Sequence, residues 1–350
     1  MKILFISPSL SMTDGRSYYT YLLLKHLPAF NIECLLLTDS DSDTTIPDSL
    51  NIKIFKSDIS SKNPFAIFRN VNLINKIQSD FSIDIIHNFH RFTELITLLA
   101  QSKNKNFKSA MTVLSIVNKK YFLEYRSDAL ICVSKGLRNI LLNEYKRPDK
   151  NVTVIHPFVS TDEIRISDKT QSENFTIYAD GRFHFEKDFI TLLKAINQLK
   201  DCSIKLILVG TGEEEANLKS FAEENNLNVE FIKPKYDRSE FFNQADLCVL
   251  PSVRDPFPLF MLLAGAYKKP FIGANTDGIA ELIVDGINGF LFEKQNYIEL
   301  AEKINFIKNN KQVAVSLSEN LNNDVSSSYT EKKSIPAIIN IYKNLTNNKN

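Results

Sequence analysis

Short apolar runs alternate with longer amphipathic stretches along the whole chain. In the first half, Lys2–Ile6, Cys34–Thr38, Lys53–Phe55, Ile83–His87, Ser109–Val113, Ala129–Val133 and Val152–Ile155 have the length and content of buried strands. Between them, apolar residues at helical spacing predict helices over Arg16–Leu27, Pro64–Gln78, Glu94–Gln101 and Lys135–Glu144. The second half predicts strands at Phe175–Asp180, Ile204–Val209, Val229–Phe231, Leu247–Leu250, Pro270–Gly273 and Phe290–Phe292. Its helices are expected at Asp188–Leu199, Glu213–Asn225, Arg238–Gln244, Phe260–Tyr267, Ile279–Val284, Tyr297–Lys308 and Ile335–Leu345.

Strand–helix alternation of this kind builds parallel sheets from βαβ units. The alternation restarts near residue 175, after the polar, aperiodic segment Ser160–Asn174, which reads as a linker. The expected class is therefore α/β, with two doubly wound, Rossmann-like domains facing a cleft. Their expected extents are 1–165 and 166–330, followed by a C-terminal helix over 331–350 that can cross back to the first domain and ends in a frayed polar tail. Doubly wound sheets bind ligands outside the carboxyl ends of their strands, so the site is expected in the cleft.

Composition narrows the class of function. The 350 residues are 43% hydrophobic and 24% charged, an ordinary globular mix that excludes a disordered or fibrous chain. A net charge of +1 argues against a nucleic-acid partner bound by bulk charge. The charge is unevenly divided: residues 1–165 carry 21 Lys+Arg and 16 Asp+Glu, against 21 and 25 in the remainder. That asymmetry fits either ordinary variation or a first half that faces an anionic surface. No apolar run approaches the ~18 residues of a membrane span. The opening run stops at Ser7-Pro8, short of a signal peptide. Cys34, Cys132, Cys202 and Cys248 are widely spaced, without a C-x-x-C pair, and read as reduced core cysteines of a cytosolic protein.

Three stretches carry candidate chemistry. In Ala179–Asp188 a strand passes through Gly181 into a helix, with Arg182 and Lys187 near the helix start. Two cations there suit a diphosphate, although spacing alone fits two solvated charges on a loop at least as well. Gly210-Thr211-Gly212 joins a strand to a helix, but the third glycine of a dinucleotide fingerprint is absent, so a nicotinamide-dependent dehydrogenase is poorly supported. The third stretch runs from Ala245 through Ser252, Asp255, Pro256, Phe257, Pro258 and Leu259 to Ala266, and continues into Gly278–Glu281 and Asp285–Phe290.

In order and spacing, Phe175–Phe292 resembles the second domain of the retaining nucleotide-sugar glycosyltransferases of family 4, which have the GT-B fold. The family's Gly-Arg-x-x-x-x-Lys is matched by Gly181, Arg182 and Lys187, its ADxxVxPS strand by Ala245–Ser252, and its GxxE and DGxNGFL turns by Gly278–Glu281 and Asp285–Leu291. The resemblance extends more loosely to the first domain. Asp14-Gly15-Arg16 is similar to the family's glycine loop, and Asp84–His90 is similar to its D-x-x-H-x-H, with the second histidine displaced to residue 90. The family's pair of signature glutamates falls on Asp255 and Leu263. Asp255 keeps a carboxylate, whereas Leu263 cannot accept the hydrogen bonds of a ribose. Pro256, at a position often occupied by glycine, lacks an N–H.

The resemblance implies a retaining, hexosyl-type transferase that moves a sugar from a nucleotide diphosphate donor, with a UDP-sugar expected, to an acceptor hydroxyl. Arg182 and Lys187 would neutralise the departing diphosphate and stand in for a metal, so neither a metal nor a separate cofactor is expected. Asp255 would position the donor sugar, and His90 would orient the sugar or the acceptor. Gly15, Arg16, Gly181, Phe257, Pro258 and Leu259 would complete the donor contacts. The expected acceptor is a glycan or lipid-linked glycan of bacterial-type surface polysaccharide or glycolipid assembly. Lys103, Lys105, Lys108, Lys119, Lys120, Tyr121, Phe122 and Arg126, together with Phe65, Phe68 and Arg69, suggest a peripheral contact at the inner face of the cell membrane, or else a solvated face over a core helix. The alternative function is a GT-B scaffold that no longer catalyses and serves as a partner or acceptor-binding subunit, motivated by Leu263 and Pro256.

Overall fold

The computed structural model describes residues 1–11, 14–41, 50, 52–115, 123–167 and 174–347. The chain divides into two compact units, Met1–Pro157 with Glu331–Asn350, and Phe158–Thr330.

In the first unit, β1 (Lys2–Ile6), α1 (Gly15–His26), β2 (Glu33–Thr38), β3 (Lys53–Lys56), α2 (Pro64–Phe81), β4 (Ile85–Asn88), α3 (Arg91–Lys103), β5 (Lys108–Val113), β6 (Ala129–Cys132), α4 (Lys135–Asn143) and β7 (Val152–Val154) follow one another. Among the described residues the strands form a parallel seven-stranded sheet in the order β3-β2-β1-β4-β5-β6-β7. β1 is an interior strand, and Ile3, Leu4, Phe5 and Ile6 are fully buried because helices cover both faces. Side-chain caps start the helices: Asp14 accepts from the Arg16 and Ser17 amides, Asn63 precedes Pro64 and accepts from Phe65, and Ser134 accepts from Leu137.

The second unit comprises β8 (Phe175–Asp180), α5 (Phe189–Leu199), β9 (Ile204–Val209), α6 (Glu215–Glu224), β10 (Val229–Ile232), α7 (Ser239–Gln244), β11 (Leu247–Leu250), α8 (Leu259–Ala266), β12 (Phe271–Ala274), α9 (Asp277–Ala280), β13 (Phe290–Phe292), α10 (Tyr297–Asn309) and α11 (Lys311–Ser328). Its described strands form a parallel six-stranded sheet ordered β10-β9-β8-β11-β12-β13. The last helix, α12 (Glu331–Asn347), belongs to the first unit and buries Ile335, Ile338, Ile339 and Tyr342 there.

Three features differ from the sequence reading. The units divide between Pro157 and Phe158 rather than after residue 165. The segment 158–165 is tied to the second unit: Val159 bonds to the Tyr329 carbonyl at 3.0 Å, and Asn243 donates to the Arg165 carbonyl at 2.9 Å. Helix α11 was not anticipated, since its buried stripe is only Leu317, Ser318, Leu321 and Val325, and polar residues fill most of the rest of the segment. It docks on α8 where Gly265 lacks a side chain; a Cβ there would lie 2.7 Å from Val325 and 2.9 Å from Leu321. Cys34, Cys132 and Cys248 are buried thiols, but Cys202 is exposed in the turn before β9, so it is not a core residue. The expected positions Lys119, Lys120, Tyr121 and Phe122, part of the linker at 168–173, and the tail at 348–350 lie outside the described residues.

Candidate functional site

Each sheet reverses its strand order once, between β1 and β4 in the first unit and between β8 and β11 in the second. At such a switch point the neighbouring connections leave towards opposite faces and open a crevice at the carboxyl ends of the strands. The expected site residues cluster at these two places. Gly181, Arg182 and Lys187 follow β8, Asp255 to Leu259 follow β11, Gly15 and Arg16 follow β1, and His90 follows β4.

In the second unit, Lys187 and the buried carboxylate of Asp255 form a direct ion pair. The second cation, Arg182, is exposed and lies 3.3 Å from Glu213, which follows β9. Glu213 also lies 3.3 Å from His184 Nε2. Both side chains of this pair are exposed, so solvent screens it and Glu213 holds Arg182 only weakly. Lys187 is more firmly held, because its partner is desolvated.

The loop that carries Asp255 is shaped from below by Gly278 in α9. A Cβ on Gly278 would sit 2.0 Å from the Pro256 carbonyl oxygen and 2.2 Å from that of Asp255, so only glycine allows the two segments to touch. Phe257 is buried with its ring stacked on Tyr329, 5.6 Å between centroids, so its ring is engaged within the protein. Pro258 caps α8 without a side-chain hydrogen bond, and Leu259 opens that helix, whose first N–H groups have no intrahelical acceptor. Leu263, one turn further on, is buried and offers no acceptor. The Asp285–Leu291 turn is structural: Asp285 accepts from Leu291, while Asn288 bonds to Val284, Leu282 and Asp324.

In the first unit, Asp14 fastens the start of α1, and Arg16 Nη2 donates to Ser9 Oγ at 3.0 Å. Arg16 Nε is buried and has no partner among the described residues. His90 caps α3, its Nδ1 accepting from the Phe92 amide at 3.2 Å. The proton of the neutral ring therefore sits on Nε2, which is left as a donor. Desolvation, then the charges of Arg16, Arg91 and Lys62, lower the His90 pKa to about 4, so the ring is neutral at physiological pH. The neighbouring His87 is wholly buried between the Tyr342 hydroxyl at Nδ1 and Thr112 Oγ1 at 2.8 Å from Nε2, a supporting role for the end of β4.

Sequence reasoning missed the carboxylate partner of Arg182, the tie from α12 to β4, and a cluster of Tyr178, Asp180 and Arg238 at the end of β8. Each joins residues too far apart for a spacing pattern to reveal. Among the described residues no group of three or more His, Cys, Asp or Glu is arranged to hold a metal ion. No described helix is long and apolar enough to cross a membrane.

Two Rossmann-like units with polar residues gathered at each switch point define the GT-B class. The family model for glycosyl transferases group 1 matches residues 160–324, and that for glycosyltransferase family 4 matches residues 13–163. The chain belongs to the GT-B glycosyltransferases of this group 1 and family 4 type. It is 27% identical to an uncharacterized glycosyltransferase of Methanocaldococcus jannaschii over 99% of both chains. It is 22% identical to the N,N'-diacetylbacillosaminyl-diphospho-undecaprenol alpha-1,3-N-acetylgalactosaminyltransferase of Campylobacter jejuni, over 93% of this chain and 94% of that one. The crystal structure of Anabaena HepE in complex with UDP and glucose shares the fold, with a TM-score of 0.82 at 18% identity over 99% of each chain.

Proposed function

We propose that this glycosyltransferase moves a hexosyl group from a UDP-sugar to a hydroxyl of a glycan or lipid-linked glycan, with retention at the anomeric carbon. The observation that carries this reading is the pairing of Lys187 with Asp255 at the β8/β11 switch point, on the same β8 loop that carries Arg182. Two cations on that loop match a diphosphate, and a carboxylate paired with one of them matches the hydroxyls of the sugar it bears. As the bond from the anomeric carbon to the diphosphate breaks, negative charge grows on the leaving oxygen. Arg182 and Lys187 stabilise that charge more than they stabilise the intact donor. Asp255 positions the sugar, the backbone of Phe257, Pro258 and Leu259 meets the donor, and no metal or separate cofactor takes part in this reading.

In the first unit, Gly15 lets the chain approach a phosphate, Arg16 supplies a cation, and the Nε2–H of neutral His90 donates to a sugar or acceptor oxygen. The undecaprenol-linked substrate in the Campylobacter relative's name and the UDP and glucose in the HepE title support this choice of acceptor and donor. The corresponding role is assembly of a surface polysaccharide or glycolipid by an enzyme at the inner face of the cell membrane. Its contact with the lipid surface would be the start of α2. There Phe65 and Phe68 are 86% and 59% exposed, and Lys103 lies 5.2 Å over the Phe68 ring. Aromatic rings beside lysines bind an anionic interface reversibly.

Calorimetric titration with UDP, GDP, ADP and CMP tests the donor site. UDP is expected to bind the native chain and to lose that binding in Arg182→Ala/Lys187→Ala. No binding of any of the four would favour the second reading, a scaffold without catalysis, to which Leu263 and Pro256 point.

A further inference from the structure

Asp180 is the last residue of β8, at the switch point and directly before Gly181 and Arg182. Its Oδ2 is held from two sides. The Tyr178 hydroxyl donates to it at 2.8 Å, and Arg238 Nε lies 2.7 Å away. Tyr178 is itself fixed, fully buried with its ring against Phe241, Phe242 and Phe260. Arg238 offsets the carboxylate charge, which would otherwise repel a phosphate bound at the neighbouring Arg182. The Asp180 side chain keeps 12% exposure, and its other oxygen, Oδ1, has no hydrogen-bond partner among the described residues.

The ends of the next two strands in the sheet add to this. Ser252 Oγ, just beyond β11, and Thr276 Oγ1, just beyond β12, are buried and have no partner among the described residues. Three adjacent strands, β8, β11 and β12, thus end in oxygen groups whose hydrogen-bonding capacity the protein leaves unused. Buried polar groups are rarely left so without a ligand or water to complete them. Phosphate oxygens offer no proton to Asp180 Oδ1, whereas hydroxyls attached to the same ligand do.

We propose that Asp180 Oδ1 accepts a hydrogen bond from the ribose hydroxyls of the donor nucleotide, with Tyr178 and Arg238 as positioning residues that aim it. The proposal rests on the donor-site reading above and supplies the acceptor that Leu263 does not. It makes Asp180 a determinant of the ribose, while Arg182 and Lys187 remain determinants of the diphosphate.

The test is calorimetric titration of the full chain with UDP and with 2′,3′-dideoxy-UDP. Native protein is expected to bind UDP about tenfold more tightly or better, the discrimination of a site built to pair with a hydroxyl. Asp180→Asn is expected to lose about tenfold in UDP affinity with dideoxy-UDP unchanged. Tyr178→Phe, which releases Oδ2 without changing the packed shape, is expected to lose part of the same discrimination, and it keeps the test alive should Asp180→Asn unfold. Equal effects on both nucleotides, or none, would overturn the role of Asp180 and leave the donor site standing. Absence of UDP binding by the native chain would overturn both.

Discussion

Lys187 and Asp255 lie 68 residues apart in sequence and form an ion pair across the loops that follow β8 and β11. A cation expected to meet the diphosphate and a carboxylate expected to meet the sugar are thus each other's partner in the unliganded chain. Binding of a diphosphate must compete with Asp255 for Lys187, so the two residues have opposite effects on affinity. Lys187→Ala should weaken UDP binding by about 10- to 100-fold, the loss of a charge-assisted contact. Asp255→Asn should leave UDP binding equal or a few-fold tighter while sugar transfer falls by at least about 100-fold. Titration and initial-rate measurements on both variants check this, and parallel losses of UDP affinity would count against it.

Gly278 is the contact on which the position of Asp255 depends. Gly278→Ala places a methyl 2.0 Å from the Pro256 carbonyl oxygen, and the backbone must move. The expected cost is about 1–3 kcal/mol of stability, with sugar transfer reduced more than UDP binding because the displaced loop carries Asp255, the carboxylate proposed to position the sugar. Denaturant unfolding and transfer assays on the same preparation separate the two effects.

His87 gives the fold a pH dependence of definite sign. Burial lowers its pKa from 6.5 to about 3, so the unfolded chain binds a proton in this interval that the folded chain does not. The stability associated with neutral His87 is complete above about pH 6.5 and is lost as pH falls towards 3. One proton is worth about 1.4 kcal/mol per pH unit, so unfolding free energy should drop by about 2 kcal/mol from pH 7 to pH 5 on its account. Lowered His90 acts in the same direction. Urea titrations at both pH values should show a smaller drop in His87→Gln than in the native chain.

The exposed rings at the start of α2 predict lipid binding. Phe65→Ser/Phe68→Ser should reduce binding to vesicles containing phosphatidylglycerol by about tenfold or more, since burying a phenylalanine contributes about 1.5–3 kcal/mol. Native binding should weaken with added salt and on purely zwitterionic vesicles, as the lysine contribution is screened. Equal co-sedimentation of variant and native chains would rule out this face as the lipid contact.

Much of the fold was legible because its causes are local. The apolar runs at Lys2–Ile6, Phe175–Asp180, Ile204–Val209, Leu247–Leu250 and Phe290–Phe292 coincide with β1, β8, β9, β11 and β13. A strand buried on both faces has little choice but to be continuously apolar. Helix α11 escaped notice because its burial is spread over three apolar residues spaced four apart, which only the smooth face at Gly265 turns into a packing surface. The exposure of Cys202 was equally hidden, since its turn takes it out of the sheet that its apolar neighbours enter.

The sequence by itself determined the class: strand–helix alternation, and the order Gly181-Arg182-Lys187, Ala245–Ser252, Gly278–Glu281, which rest on short-range spacing. Tertiary structure alone decided which charges meet. It set Lys187 against Asp255, Arg182 against Glu213, and Asp180 between Tyr178 and Arg238. It also brought Tyr342 to His87 across 255 residues and assigned the last helix to the first unit. The reason is physical. Periodicity and turn chemistry act between near neighbours along the chain, whereas an ion pair or a buried hydrogen bond depends on which strands the sheet order sets side by side.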